Sequence, residues 1–446
     1  VQTPSLSLFG GLVSQVALQD DGKMLVLGSE SEATSFNGKY DSSIVLMRYN
    51  ANGTLDSSFA AGIIQTDFGI HEDETASTIL VQKDEKIIVV GATFNGDSFD
   101  LALVRYNQDG SLDNSFGSGG KVTTDFEGLN QFGGDAIFTN DGKILVIGTQ
   151  ITYDFWSGPK FLPFVMARYN NDGSLDSSFG VGGKLITDFV LNATEVLEQS
   201  DGKIIVVGQA YENSLDFAIT RYNKDGTIDS SFGNNGRVLT DIQNLGDDGA
   251  YSAVIQSDGK ILLAGHSIND FAVVRYNQDG SLDASFGNNG KIITSFDNNF
   301  DAAYSITIQS DGKLLVAGDS YNLTTSKRDF ALARYNSDGT LDSLFNVHNT
   351  IDSTLQIQEN FAPVALDSTV SIYDSELSNL NNGLGNFGGA SITLSRQGGA
   401  NVDDVFSSSG SLHFAGNTAL LIGTNVGSVS NENGQLKIEF NENATQ

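Results

Sequence analysis

Cysteine is absent from the 446 residues, proline occurs four times, histidine four times and tryptophan once. No disulfide framework, thiolate metal site or cysteine nucleophile can be built from such a chain. Basic residues are also scarce. Lys and Arg number 24 against 55 Asp and Glu, a formal net charge of −31. That balance excludes nucleic acid and anionic membrane surfaces as partners, since both need clustered cations. No apolar run approaches the roughly 20 residues of a membrane helix, so direct membrane insertion is not expected. What the chain does have is 39% hydrophobic residues, too many for disorder, and 50 glycines beside plentiful Asn, Ser and Asp. Turns and strands are expected, not helices.

One repeat dominates. Arg-Tyr-Asn recurs at Arg48, Arg105, Arg168, Arg221, Arg275 and Arg334, at intervals of 57, 63, 53, 54 and 59 residues. Asp-Gly-Lys accompanies it from Asp21, Asp141, Asp201, Asp258 and Asp311, replaced by Asp84-Glu85-Lys86 in the second copy. Six copies follow. In the fifth, the pattern predicts strands at Ala253–Gln256, Lys260–Ala264, Phe271–Tyr276 and Lys291–Phe296. One four-stranded sheet cannot bury both faces, so copies must pack on one another. Six such sheets arranged radially make a β-propeller, with an open solenoid as the competing geometry.

The ordered motifs Asp-Gly-Lys, Arg-Tyr-Asn and Gly-Ser-Leu-Asp-x-Ser-Phe-Gly resemble the bacterial delta-60 repeat family over about residues 10–350. The resemblance implies a propeller-like module of large secreted or surface bacterial proteins, and implies no reaction. Two segments compete to supply the last strand of the ring, Val1–Leu6 and Thr350–Leu355; the first is preferred, because an N-terminal strand completing the last blade locks the ring. The expected domains are a propeller at 1–350, a linker at 351–362 and a small β-sandwich at 363–446. The last is read from alternation at Val370–Tyr373, Ala390–Leu394, Ser411–Phe414 and Leu436–Phe440. Residues 384–394 and Asn401–Phe406 resemble the cadherin-like modules of bacterial surface proteins. The abrupt end at Gln446 suggests an incomplete sandwich and a longer parent polypeptide.

Arg275 shares strand parity with Phe271 and Val273, and a buried guanidinium needs a partner. The recurrent acid of Leu-Asp supplies one: Asp56, Asp113, Asp176, Asp229, Asp283 and Asp342. A structural bidentate Arg–Asp pair in each copy is expected, in preference to a ring of anion-binding arginines. The loops typified by Asn107, Asp109 and Asp113 have a calcium-like composition but lack the acid at position twelve. Turns are therefore favoured over calcium, which stays open as the one conceivable cofactor. Asp247-Asp248 and Asp403-Asp404 read as solvated turns. Of His71, His266, His348 and His413, none sits in a catalytic motif, and His266 reads as an exposed loop residue.

From the turn Asp to the Arg the copies differ in length, at 27, 21, 27, 20, 17 and 23 residues. The loop between strands two and three is thus the variable one, and the face that carries it is the candidate binding face. In the third copy this loop holds Tyr153, Phe155, Trp156 and Phe161 together with Pro159 and Pro163, a set suited to stacking on a sugar or anchoring a protein. Because every polar motif repeats, the preferred reading is a non-enzymatic adhesion module of an extracellular or cell-surface bacterial protein, taking a glycan or surface protein as partner. An extracellular polysaccharide hydrolase or lyase is the alternative, and a structural spacer in a fibre the third.

Overall fold

The computed structural model describes residues 12–342 apart from short segments at 34–39, 70–72, 155–157, 213, 244–245, 297–299 and 323–325. It also describes residues 345, 391–395, 412–415, 417–421, 424–432, 435–441 and 443. The chain divides into two units, Val1–Asp342 and Ser343–Gln446.

The first unit is a succession of six antiparallel sheets, each formed from one repeat and wound in sequence order. The fifth is representative: Asp248–Ile255, Ile261–Ser267, Asp270–Tyr276 and Lys291–Thr294. The third sheet gains a fifth strand, because Gly158–Phe161 turns back on the long strand Ile144–Asp154. The sixth has three strands among the described residues, and both candidate closing segments, Val1–Leu6 and Thr350–Leu355, lie outside those residues. The only helix among the described residues of this unit is a single 3-10 turn, Ala60–Gly62.

Apolar residues of each sheet interleave with those of the next. Leu262, Phe271 and Val273 of the fifth sheet meet Ala303, Leu314 and Val316 of the sixth in one such core. Five cores of this kind join the six sheets in order, and among the described residues none joins the sixth sheet to the first. Val13, Val16 and Leu18 on the first sheet and Phe330 and Leu332 on the sixth are correspondingly exposed. The first strands of successive sheets lie side by side, so they form the inner lining of the propeller-like array.

Each residue of Arg-Tyr-Asn has its own task. In four copies the Tyr hydroxyl reaches the strand-four threonine of the preceding sheet, as Tyr276 does with Thr240 at 2.7 Å and Tyr169 with Thr124 at 2.7 Å. The Asn side chain closes its own loop, with Asn277 Nδ2 donating to Ser281 Oγ at 3.0 Å. The Asp-Gly-Lys turn needs a left-handed residue, which glycine supplies at no steric cost; in the second copy Glu85 takes that role at φ 64°.

In the second unit the described residues form one five-stranded antiparallel sheet. Its order is Ser391–Ser395, Gln435–Phe440, Thr424–Glu432, Thr418–Leu421 and Leu412–Ala415. The second layer expected for a sandwich, including Val370–Tyr373, falls outside the described residues.

Candidate functional site

The six Arg and six Asp meet in every copy. Nε to Oδ2 distances are 2.8 Å for Arg48–Asp56, Arg105–Asp113, Arg168–Asp176 and Arg334–Asp342, and 2.7 Å for Arg221–Asp229 and Arg275–Asp283. The contact uses one nitrogen, not the two of a bidentate pair. The rest of the guanidinium is engaged elsewhere: Arg275 Nη1 donates to Ser337 O of the next repeat at 2.6 Å, and the group lies 4.3 Å over the Phe286 ring. Burial would raise the Asp283 carboxyl, but Ser285, Lys260 and Arg275 outweigh it and hold it below the usual range.

The Asn107–Asp113 loop is held by hydrogen bonds of its own acids. Asp109 Oδ1 accepts from Ser111 N and Oγ at 2.9 and 2.6 Å, and Asp113 is taken by Arg105, Lys86 and Ser115. These bonds build it as a turn. Tyr153 and Phe161 belong to the extra hairpin of the third sheet, where Ile151 pairs with Phe161 and Tyr153 with Pro159. Phe155 and Trp156 lie outside the described residues, as do His71, His348, Asp403 and Asp404. His413 lies in the strand Leu412–Ala415.

His266 departs from its expected place. It is not an exposed loop residue but the penultimate residue of the strand Ile261–Ser267, half-buried and stacked on Tyr251 with ring centroids 5.4 Å apart. Gly249 makes this possible. A Cβ there would lie 2.7 Å from His266 Cε1, so only glycine leaves room for the imidazole. Tyr251 in turn contacts Tyr304 at 5.3 Å, and His266 contacts Phe300 at 5.9 Å. Arg328 sits 5.6 Å over the Phe300 ring and is held by Asp319 through Nη1 at 2.7 and 2.8 Å.

This cluster occupies the end of the fifth and sixth sheets where second strands finish and first and third strands begin. Tyr304 and Phe300 are 48% and 40% exposed, so they offer open aromatic faces. Desolvation lowers the pKa of His266 against the opposing pull of Asp247, which keeps the imidazole neutral near pH 7. Its Nδ1 is buried without a hydrogen-bond partner among the described residues. A neutral ring nitrogen, two phenols and a fixed guanidinium around an aromatic platform can bind a sugar and move a proton.

A second departure lies on the inner strands. One position of each first strand latches to the following sheet. Gln15 accepts from Ile79 N at 2.5 Å and Ser252 from Ile306 N at 3.3 Å, while Thr78 donates to Gly134 O at 3.2 Å. In the third and fourth sheets the same position carries carboxylates, Asp135 accepting from Val196 N at 3.0 Å and Glu195 from Ala253 N at 2.6 Å. Burial, reinforced by Asp135, pushes Glu195 up to about 7. Neutral side chains perform this latch in the other sheets, so the paired acids are not required by it.

The family described as a domain of unknown function (DUF5122), β-propeller, matches the chain six times, at residues 19–59, 82–116, 163–179, 199–232, 256–286 and 309–345. These matches support a propeller-repeat family for the repeat region. None of the curated proteins matches it. Among solved structures, polysaccharide lyase Uly1 is 11% identical with a TM-score of 0.44, covering 73% of this chain and 78% of its own. An ulvan lyase is 10% identical with a TM-score of 0.45, covering 74% and 80%. The Hadza microbial sialidase Hz136 is 13% identical with a TM-score of 0.41, covering 71% and 64%.

The expectation that the chain is not an enzyme is corrected to this extent: the solved structures it resembles include polysaccharide lyases and a sialidase. That expectation had rested on every polar motif being repeated. The His266 cluster and the Asp135–Glu195 pair each occur once among the described residues, and sequence reasoning missed both. The signal for the first was the run Tyr251, His266, Phe300 and Tyr304 in two consecutive copies, visible only once their strands are aligned.

Proposed function

We propose that the chain is an extracellular bacterial enzyme acting on an acidic polysaccharide, with the His266 cluster as its site. The convergence of His266, Tyr251, Tyr304 and Arg328 on one open aromatic platform carries the reading. In a chain of net charge −31, an exposed arginine framed by rings is the natural seat for a sugar carboxylate. Eliminative cleavage suits these groups. A base removes the proton on the carbon next to the carboxylate, the electrons form a carbon–carbon double bond, and the glycosidic C–O bond breaks, its oxygen taking a proton from a phenol. His266 is the base, Tyr251 or Tyr304 the acid, and Arg328 steadies the carboxylate. Placement outside the cell follows from the delta-60 and cadherin-like resemblances, which also favour a longer parent polypeptide. Among the described residues no helix is long and apolar enough to cross a membrane.

The test is a panel of uronate-containing polysaccharides, followed by the ultraviolet absorbance of the unsaturated product. Activity is expected, with His266→Gln slowing it by roughly 10²–10⁴ while melting is retained, the range for loss of a general base. Absence of unsaturated product from every substrate refutes elimination. New reducing ends without that absorbance support the second reading, hydrolysis at Glu195 and Asp135, whose raised carboxyl and adjacent acid fit an acid–base pair.

A further inference from the structure

Three repeat positions converge wherever one sheet passes to the next. The first lies five residues before the Arg of the third strand, the second follows the strand-four threonine, and the third lies four residues before the latch position of the next first strand. From the first sheet onward they read Ser43, Asp67 and Glu74; Asp100, Asp125 and Gln131; Pro163, Asp188 and Leu191; Asp216, Asp241 and Asp248; Asp270, Ser295 and Asp301. At most two are acidic except between the fourth and fifth sheets. There Asp216, Asp241 and Asp248 each bring a carboxylate oxygen within 4.8 Å of the others.

Asp248 and Asp216 are 1% and 6% exposed, and Asp241 is the more open of the three. Asp248 Oδ2 accepts from Ile242 N at 2.6 Å, but Oδ1 has no hydrogen-bond partner among the described residues. Ser267 stands directly opposite Asp248 in the strand pairing, and its hydroxyl faces that carboxylate. Ser267 is 0% exposed, and its Oγ is likewise without a partner. Both atoms are buried and neither makes a hydrogen bond of normal geometry, so each is short of a partner. Asp216 is fixed from its far side by Ser214, whose Oγ donates to it at 2.8 Å. Three carboxylates brought this close repel one another, and a cation between them would offset that repulsion.

We infer that Asp216, Asp241, Asp248 and Ser267 form a binding site for a hard divalent cation, calcium foremost. The donors are all oxygens, without nitrogen or sulfur, which suits calcium and magnesium and disfavours zinc. Calcium prefers six to eight oxygens, and three carboxylates with one hydroxyl leave places for water. The site is distinct from the Asn107-type loops, whose acids are held by their own turn and by Arg and Lys. It requires nothing of the proposed reaction, although Ser267 directly follows His266.

The test uses the full-length chain stripped with chelator. Calcium chloride titrated by calorimetry, and melting followed with calcium and with chelator, should show saturable binding and a higher melting temperature with calcium. Asp216→Asn and Asp248→Asn should each weaken calcium binding by at least about tenfold; the amide of the second keeps an acceptor for Ile242 N. If either variant fails to fold, Asp241→Asn, at the open side of the site, must show the same loss. Absence of calcium heat and melting shift in the parent chain overturns the inference, because the triad then holds a shared proton. Unchanged calcium binding in the variants overturns it as well, since the ion then sits elsewhere.

Discussion

Arg275→Ala tests whether the repeat motif is the frame that joins neighbouring sheets. Arg275 and Asp283 are 6% and 5% exposed, so the pair is buried. The substitution removes the 2.7 Å contact to Asp283, the 2.6 Å bond to Ser337 O of the next repeat and the stacking over Phe286. Breaking a buried pair costs about 3–5 kcal/mol when the remaining charge is left bare. Here Asp283 is not bare. Lys260 Nζ stays 2.9 Å away, and Ser285 still donates from N and Oγ at 3.0 and 2.7 Å. The expected loss is therefore at the low end, about 3 kcal/mol. With an unfolding entropy near 2.1 cal/mol/K per residue over roughly 330 residues, that lowers the melting temperature by about 4 °C. Urea denaturation of Arg275→Ala, Asp283→Ala and the double variant measures the coupling. The double variant should lose clearly less than the sum of the singles. Strict additivity refutes the argument, because two residues that hold each other cannot be lost independently.

Glu195→Gln should change how stability depends on pH. The folded carboxyl sits at about 7 against an ordinary 4.5, so its contribution is fully present below pH 4.5 and is lost as pH rises through 7. Relative to Glu195→Gln, the parent should lose at most on the order of 3 kcal/mol between pH 4.5 and pH 8; parallel urea midpoints across that range would contradict it. Deleting residues 1–9 should lower stability by several kcal/mol if they complete the sixth sheet, since a sheet edge and apolar surface are then exposed. Unchanged melting assigns the position to another segment. Trp156→Ala should leave melting unchanged and weaken glycan binding at least tenfold, about 1.4 kcal/mol; a large loss of stability with binding intact would show the ring to be core.

Much of the fold could be read from the sequence because the repeat states it six times. The parity of Arg275 with Phe271 and Val273 placed the guanidinium among buried residues, and its third strand was read as Phe271–Tyr276 against an observed Asp270–Tyr276. First strands were read less well. Ala253–Gln256 was expected where Asp248–Ile255 forms, for two physical reasons. The strand opens on Asp-Gly-Ala, which carries little strand propensity, and a bulge at Tyr251, between Ala250 and Ser252, breaks the alternation. The same error made Asp247-Asp248 a solvated pair, although Asp248 is buried and caps the chain at Ile242.

The sites escaped for a different reason. A repeat protein announces its scaffold by what recurs, so attention falls on the residues that hold the sheets together. Chemistry needs constellations that are used once, and their members occupy repeat positions where at least one other copy does the structural task with an uncharged residue. Glu195 stands where Gln15 and Ser252 make the same latch without charge. Asp248 stands where Glu74 and Asp301 make the same cap and where Gln131 makes it without charge, accepting from Phe126 N; what sets it apart is that Asp216 and Asp241 stand beside it. In each case a carboxylate adds a desolvation cost that the structural task does not demand. No single copy shows this; it takes the copies superposed strand by strand, bulge included, so that an unneeded charge stands out against its neutral equivalents. By that criterion the fourth and fifth repeats, which hold Glu195, the Asp216–Asp241–Asp248 triad and His266, are where the propeller departs furthest from its own pattern, and where substitutions should separate function from stability.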